Sequence, residues 1–180
     1  MSECIALIRG INVGRNKRLA MADLRDMMVD LGHTHVRTLL NSGNVLFESK
    51  RPNAAKIAAN IEAAIDAACG FSAAVTVTTA RDLELIVNEN PLLQVVDDHA
   101  RHLVAFVAHP KHLQALRPML KQSWAPDALA VTERAAYLWC AAGILESKLL
   151  QAFSRKAGAT VTTRNWTTVL KLQAASKEAA

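Results

Sequence analysis

Two polar segments of this 180-residue chain carry residue types suited to anion chemistry: Arg9-Gly-Ile-Asn-Val-Gly14 and Thr163-Arg-Asn-Trp-Thr167. Each stands where an apolar run gives way to a helical pattern, a place where core packing asks for neither arginine nor asparagine. A guanidinium makes paired, charge-assisted hydrogen bonds to carboxylate and phosphate oxygens. Amide side chains and helix N-termini supply further donors. Two other short segments, Ser42-Gly-Asn44 and Ser147-Lys148, are candidates to stand beside them. The candidate ligand-binding set is therefore Arg9, Asn12, Ser42, Asn44, Ser147, Lys148, Arg164 and Asn165.

Each of these has a competing structural reading. Arg9 could meet a nearby carboxylate, Asn44 could be a turn residue, and Asn165 could cap a helix. Trp166 begins an apolar face and reads as core. Gly10 and Gly14 could simply permit turns, and Arg15, Lys17 and Arg18 read as solvated loop charges. The glycine spacing is neither GxxxxGK[ST] nor GxGxxG, which removes the common nucleotide-binding loops. Ser147 and Lys148 are helix neighbours that point in different directions, so they do not form a nucleophile and base pair. His33 with His35, and His109 with His112, have no third ligand close by in sequence, and no metal or cofactor is expected. Cys4, Cys69 and Cys140 are far apart in apolar surroundings and read as reduced, buried thiols of a cytoplasmic protein.

The elements that must position these residues follow from periodicity. Cys4–Ile8 is a continuous apolar run, as in a buried strand. Leu24, Met27, Met28 and Leu31 have helical spacing and Gly32 closes that helix. Val36–Leu40 and Val45–Glu48 flank the Asn41-Ser-Gly-Asn44 turn as a hairpin. A second helix carries Ile57, Ile61, Ile65 and Ala68 and stops at Gly70, and Ala74–Thr78 is a strand. After a helix from Ala80 to Asn88 with Thr79 as its expected cap, the order recurs. It runs through strand Leu103–Ala108, a helix opened by Pro110 with Leu113, Leu116 and Leu120 on its face, and strands Ala128–Val131 and Ala136–Ala141. A helix with Leu145, Leu149 and Phe153, strand Ala159–Thr162 and a final helix with Trp166, Val169 and Leu170 complete it. The expected fold is α+β: two tandem ferredoxin-like (βαββαβ) subdomains with antiparallel sheets, at 1–79 and 101–180, joined by a helix and linker at 80–100, with an added C-terminal helix.

That topology sets the end of the first strand beside the turn entering the third, so Arg9 and Asn12 approach Ser42-Gly-Asn44. In the second half it brings Gly143, Ser147 and Lys148 toward Thr163–Trp166. Both clusters are expected to serve one inter-subdomain cleft, where ligand sites tend to form. Taken together, Arg9–Gly14, Met21-Ala-Asp-Leu24, Gly32, Ser42-Gly-Asn44, Ser147-Lys148 and Thr163–Thr167 resemble the bacterial domain of unknown function 1697 family, over about residues 3 to 172. The resemblance implies a two-part α+β fold with ferredoxin-like subdomains and supplies no reaction. The family usually has an aromatic where this chain has Leu40, and often Gln at the position of Asn41.

Composition narrows the function classes. Half of the residues are hydrophobic and a fifth charged, which fits a folded globule and excludes disorder. No run approaches the ~20 apolar residues of a membrane span. The net charge is +5. It arises in positions 91–180, with eleven basic and six acidic residues against ten of each in 1–90. Aromatics are only 4%, and neither Cys4–Ile8 nor Val45–Glu48 offers the stacking residues of an RNA-binding sheet. Binding of a small anionic or phosphorylated molecule ranks first. A nucleic-acid-binding module ranks second, and an interaction or scaffold protein without chemistry third.

Overall fold

The computed structural model of the chain describes residues 2–50 and 52–178; positions 1 and 179–180, at the outer ends of the expected subdomains, lie outside them. The elements are β1 (Ser2–Ile8), α1 (Met21–Asp30), β2 (Thr34–Leu39), β3 (Asn44–Ser49), α2 (Ala54–Cys69), β4 (Val75–Thr79) and α3 (Ala80–Asn88). There follow β5 (His102–Val107), α4 (Pro110–Leu116), β6 (Ala128–Val131), β7 (Ala135–Trp139), α5 (Lys148–Ala157), β8 (Val161–Asn165) and α6 (Trp166–Lys177). Two four-stranded antiparallel sheets result, in the orders β2-β3-β1-β4 and β6-β7-β5-β8. The chain divides into a unit reaching to Arg81 and a unit Asp82–Glu178. Each is a βαββαβ arrangement, and α6 is the added C-terminal helix.

In the first unit, Cys4, Ala6 and Ile8 alternate toward the helices and pack with Val45, Phe47, Val75 and Val77. Leu24 and Met28 of α1 and Ile57, Ile61 and Ile65 of α2 close the layer. Each fully buried isoleucine contributes about 2 kcal/mol of apolar burial. The Asn53 side chain caps α2 by accepting from the Lys56 N–H, and Gly70 ends it with φ of 70°. Ile5 and Leu7, on the other side of β1, are also fully buried, which is why the strand reads as a continuous apolar run.

In the second unit, Leu103, Ala105, Ala136, Leu138 and Val161 meet Leu113, Leu149 and Phe153. Helix α3 is tied to this unit by the Tyr137 hydroxyl, which donates to the Ile86 carbonyl at 2.7 Å, and by Arg134 with Glu89 at 3.5 Å. Among the described residues no helix is long and apolar enough to cross a membrane.

Several expectations need correction. Leu120 is exposed rather than on the buried face: α4 ends at Leu116, before Pro118, and the chain tightens into a 3₁₀ turn, Arg117–Lys121, that buries Met119 instead. Leu145 is 87% exposed and lies before α5, because Ser147 caps that helix and fixes its start at Lys148. Strand β8 runs Val161–Asn165 rather than Ala159–Thr162, and Leu172 rather than Leu170 is fully buried on α6. Ala68 is exposed on α2, and Thr79, expected as a cap, ends β4 opposite Cys4. Edge strand β2 carries a register shift between Thr34 and Arg37, where His35 takes φ of 52°. There the His35 Nδ1 lies 3.3 Å from Glu48.

His102 opens β5 with no exposed surface. Its Nδ1 lies 2.9 Å from the Leu138 carbonyl and its Nε2 lies 2.8 Å from the Asn90 amide nitrogen. Those partners call for a neutral ring that donates from Nδ1 and accepts at Nε2. Burial holds its pKa below the ordinary 6.5, and burial does the same to His33. A depressed folded pKa means that the unfolded chain takes up the proton first. The stabilisation is therefore complete above about pH 6.5 and is lost as pH falls below it. The denaturant midpoint is expected to drop between about pH 7 and about pH 5, and to drop less in His102→Gln. An identical pH slope in the variant would refute this role for His102.

Candidate functional site

The first cluster is built by strand register. Leu7 of β1 pairs with Asn44 of β3, and the Ile8 N–H donates to the Gly43 carbonyl at 2.8 Å. The chain leaves β1 beside the β2–β3 turn, as the topology predicts. On its other side the Arg9 N–H donates to the Ala74 carbonyl at 2.8 Å, which fixes where this half-buried arginine leaves the sheet.

Asn12 takes φ of 56° and acts as a clamp. Its amide donates to the Leu19 carbonyl at 2.8 Å and to the Asn41 carbonyl at 2.9 Å, and its oxygen accepts from the Leu19 N–H at 3.0 Å. One side chain thus closes the loop of residues 9–20 and fastens it to the hairpin. Asn44 is fully buried and donates to the Leu39 carbonyl and to the Ser42 hydroxyl, both at 2.9 Å. Asn12 and Asn44 therefore organise the turn through their amides; Ser42, which accepts from Asn44, is exposed, and Arg9 is half-buried.

The rest of the loop is basic. Residues 9–22 contain Arg9, Arg15, Lys17 and Arg18 and no carboxylate. Lys17 donates to the Ser72 carbonyl at 2.9 Å and lies 5.9 Å from the Phe71 ring centroid. Arg15 and Arg18 are exposed and make no ion pair among the described residues.

In the second unit β7 and β8 both pair with β5, so their ends flank its start: His102 faces Trp139 and Leu103 faces Asn165. Strand β5 stands between the two polar segments, which share one end of the sheet without being neighbours in it. Ser147 is buried, accepts from the Leu150 N–H at 2.9 Å and donates to Asp127 at 2.7 Å. The other Asp127 oxygen accepts from the Ala141 N–H at 2.9 Å. Asn165 caps α6 by accepting from the Thr168 N–H at 2.9 Å. Trp166 is core, with its ring 5.4 Å from that of His102.

Lys148 is exposed at the first position of α5, where the helix dipole disfavours a cation. Arg164 donates to the Thr163 carbonyl at 2.9 Å, and burial draws its pKa down to about 10, so it keeps its charge at neutral pH.

Sequence reasoning missed the residues that hold this end together. Arg101 donates to Asp97, Asp98 and the Ala141 carbonyl and stacks 5.0 Å from the Trp139 ring centroid. Asp127 and Asn90 were equally silent. Their only signals are a lone carboxylate before a strand and an asparagine before Pro91. Burial raises the pKa of Cys4 and Cys140, which keeps both as thiols rather than nucleophiles. Among the described residues no group of three or more His, Cys, Asp or Glu is arranged to hold a metal ion.

This geometry defines a tandem ferredoxin-like α+β protein whose sheet ends are fastened by polar side chains, with one basic loop. The chain belongs to the family described as Protein of unknown function (DUF1697), whose model matches residues 1–137. Its fold is similar to that of the conserved bacterial protein SP0830 from Streptococcus pneumoniae, at a TM-score of 0.77 and 21% identity, covering 96% of this chain and 97% of that one. No curated protein matches the chain.

Two substitutions separate scaffold from surface. A Cβ on Gly43, at φ of +74°, would lie 2.8 Å from Ile11 Cδ1 and 2.9 Å from Ile8 Cβ. Gly43→Ala is expected to cost about 1–3 kcal/mol, since the Ile8 Cβ belongs to a paired strand and cannot yield. Ser147→Ala removes both a helix cap and a partner of Asp127, at about 1–2 kcal/mol. Equilibrium denaturation checks both, and a wild-type midpoint in either would contradict the contacts described.

Proposed function

We propose that this protein binds a small anionic or phosphorylated ligand, received by the basic loop that leaves β1. The observation that carries the reading is the loop itself: Arg9, Arg15, Lys17 and Arg18, with no carboxylate in residues 9–22. Clamped at Asn12 and anchored at Lys17, the loop presents its cations from a backbone already ordered. Preorganised donors bind an anion with less ordering cost than flexible ones. The half-buried Arg164 of the second unit is a further charge in a low-dielectric setting, where an anion interacts more strongly than in open water. Of the eight candidate residues, Asn12 and Asn44 in the first unit and Ser147 and Asn165 in the second hold local backbone. Arg9 and Ser42 in the first unit, and Lys148 and Arg164 in the second, are the groups proposed to meet an anion, each within its own unit.

A polynucleotide fits less well. Ile5, Leu7 and Leu46, on the face of β1 and β3 away from α1 and α2, are fully buried, so that face offers no platform for bases. The test is a thermal-shift and calorimetric titration with inorganic phosphate and pyrophosphate. Pyrophosphate is expected to raise the Tm by a few degrees, about the size mass action gives for a ligand at many times its Kd. Arg9→Ala and the double variant Arg15→Ala/Arg18→Ala should reduce that rise, each read against its own ligand-free Tm. Absence of any anion effect defeats the reading. Submicromolar binding of single-stranded RNA at about 0.15 M salt, with a steep salt slope, would replace it with the polynucleotide alternative.

A further inference from the structure

The end of the first unit where β1 leaves the sheet also carries apolar surface that the anion reading does not use. Three segments meet there: residues 9–22, the β2–β3 hairpin at 38–45, and residues 70–74. Together they hold the four cations of the basic loop and no carboxylate. Glu62 of α2 does reach this end, and its carboxylate accepts from the Val75 N–H at 2.8 Å.

Among these cations stand two exposed aliphatic side chains, Val13 at 72% and Leu40 at 46%. They are distant in sequence but flank one hydrogen bond, from the Asn12 amide to the Asn41 carbonyl at 2.9 Å. Leu40 is held from both sides. The Leu39 carbonyl before it accepts from the Asn44 amide at 2.9 Å, and the Asn41 carbonyl after it accepts from Asn12. Its φ of 60° is left-handed, a conformation that favours Gly or Asn. A leucine at that position is a poor choice for the turn itself, and at its exposure it packs little against the fold. Aliphatic side chains scattered singly over a surface are ordinary. Here two are presented at one clamped junction, inside a surface that is otherwise basic.

We propose that this end of the first unit docks on the surface of an anionic phospholipid bilayer. The proposal rests on the anion reading above and names what carries the phosphate: a lipid headgroup. A free phosphate would meet the cations and leave Val13 and Leu40 in water. A bilayer meets both, because its phosphates lie at the surface and its acyl chains begin within about 5–10 Å beneath them. Each lysine or arginine brought to such a surface strengthens binding about fivefold, an effect that salt screens. Docking of this kind lies on the membrane and requires no spanning helix.

The test is co-sedimentation with vesicles of phosphatidylcholine alone and of phosphatidylcholine with about 40% phosphatidylglycerol, at about 0.1 M and about 0.5 M salt. Binding is expected on the anionic vesicles alone, and weaker at the higher salt. Arg15→Ala/Arg18→Ala should reduce it about 20–30-fold. The discriminating variant is Val13→Ser/Leu40→Asn. It leaves every charge in place, and asparagine suits the left-handed backbone at position 40, so the hairpin is retained. Vesicle binding should fall about tenfold, while the pyrophosphate-induced rise in Tm stays as in the wild type. Equal binding to neutral vesicles, no binding to anionic ones, or anionic binding untouched by Val13→Ser/Leu40→Asn overturns the proposal. Single-stranded RNA bound more tightly than the vesicles also overturns it, and assigns the loop to a polynucleotide. A pyrophosphate effect without vesicle binding defeats the docking surface alone and leaves the anion reading standing; loss of both effects removes both.

Discussion

Strand β1 carries hydrogen-bonded partners on both of its edges and buried side chains on both of its faces, and the first unit depends on that double requirement. A central strand that buries both faces tolerates no polar residue from Cys4 to Ile8, and its register cannot slip by one residue without exchanging the two packed faces. Everything polar is therefore displaced to the point where the strand ends. There the Ile8 N–H still reaches Gly43 and the Arg9 N–H still reaches Ala74, so the departing chain begins its loop held on two sides. The position of the basic loop is a result of sheet pairing, and only its charge is a property of the loop.

The two units solve the same topological problem with different connections. Between β1 and α1 run residues 9–20; between β5 and α4 stand only Ala108 and His109. A long connection can be elaborated with charge because it has backbone beyond what the crossover requires, whereas a two-residue one cannot. The second unit gathers its polar groups at the other end of its central strand, around His102, where Asp127, Ser147 and Arg101 bind backbone groups of the joining segments. The likeness to the pneumococcal protein spans both units, and at 21% identity it speaks for the fold alone.

Much of this was legible in the sequence because the signals were of the strong kind: apolar runs, helical stripes, and glycines after helices. The element order and the approach of Asn12 to the hairpin follow from them. What was not legible depended on local competition. Ser147 as a cap outweighed the apolar periodicity that drew Leu145 into a helix, and Pro118 changed the helical period so that Met119 took the place expected for Leu120. The clamp formed by Asn12 has no signature beyond an asparagine in a loop, since its partners are backbone atoms at Leu19 and Asn41.

The bulge in β2 bears on how the molecule behaves in a crowded solution. An outer strand is a template: its free edge invites a strand from another molecule, and a regular one can seed an extended intermolecular sheet. Between Thr34 and Arg37 the pairing of β2 loses register, and His35 sits in a left-handed conformation that a docking strand cannot follow. Fibril growth from that side would have to straighten the bulge first, moving His35 away from Glu48. A small local irregularity thus sets a kinetic obstacle to aggregation at an edge where a smoother and intrinsically more stable strand would leave the protein sticky.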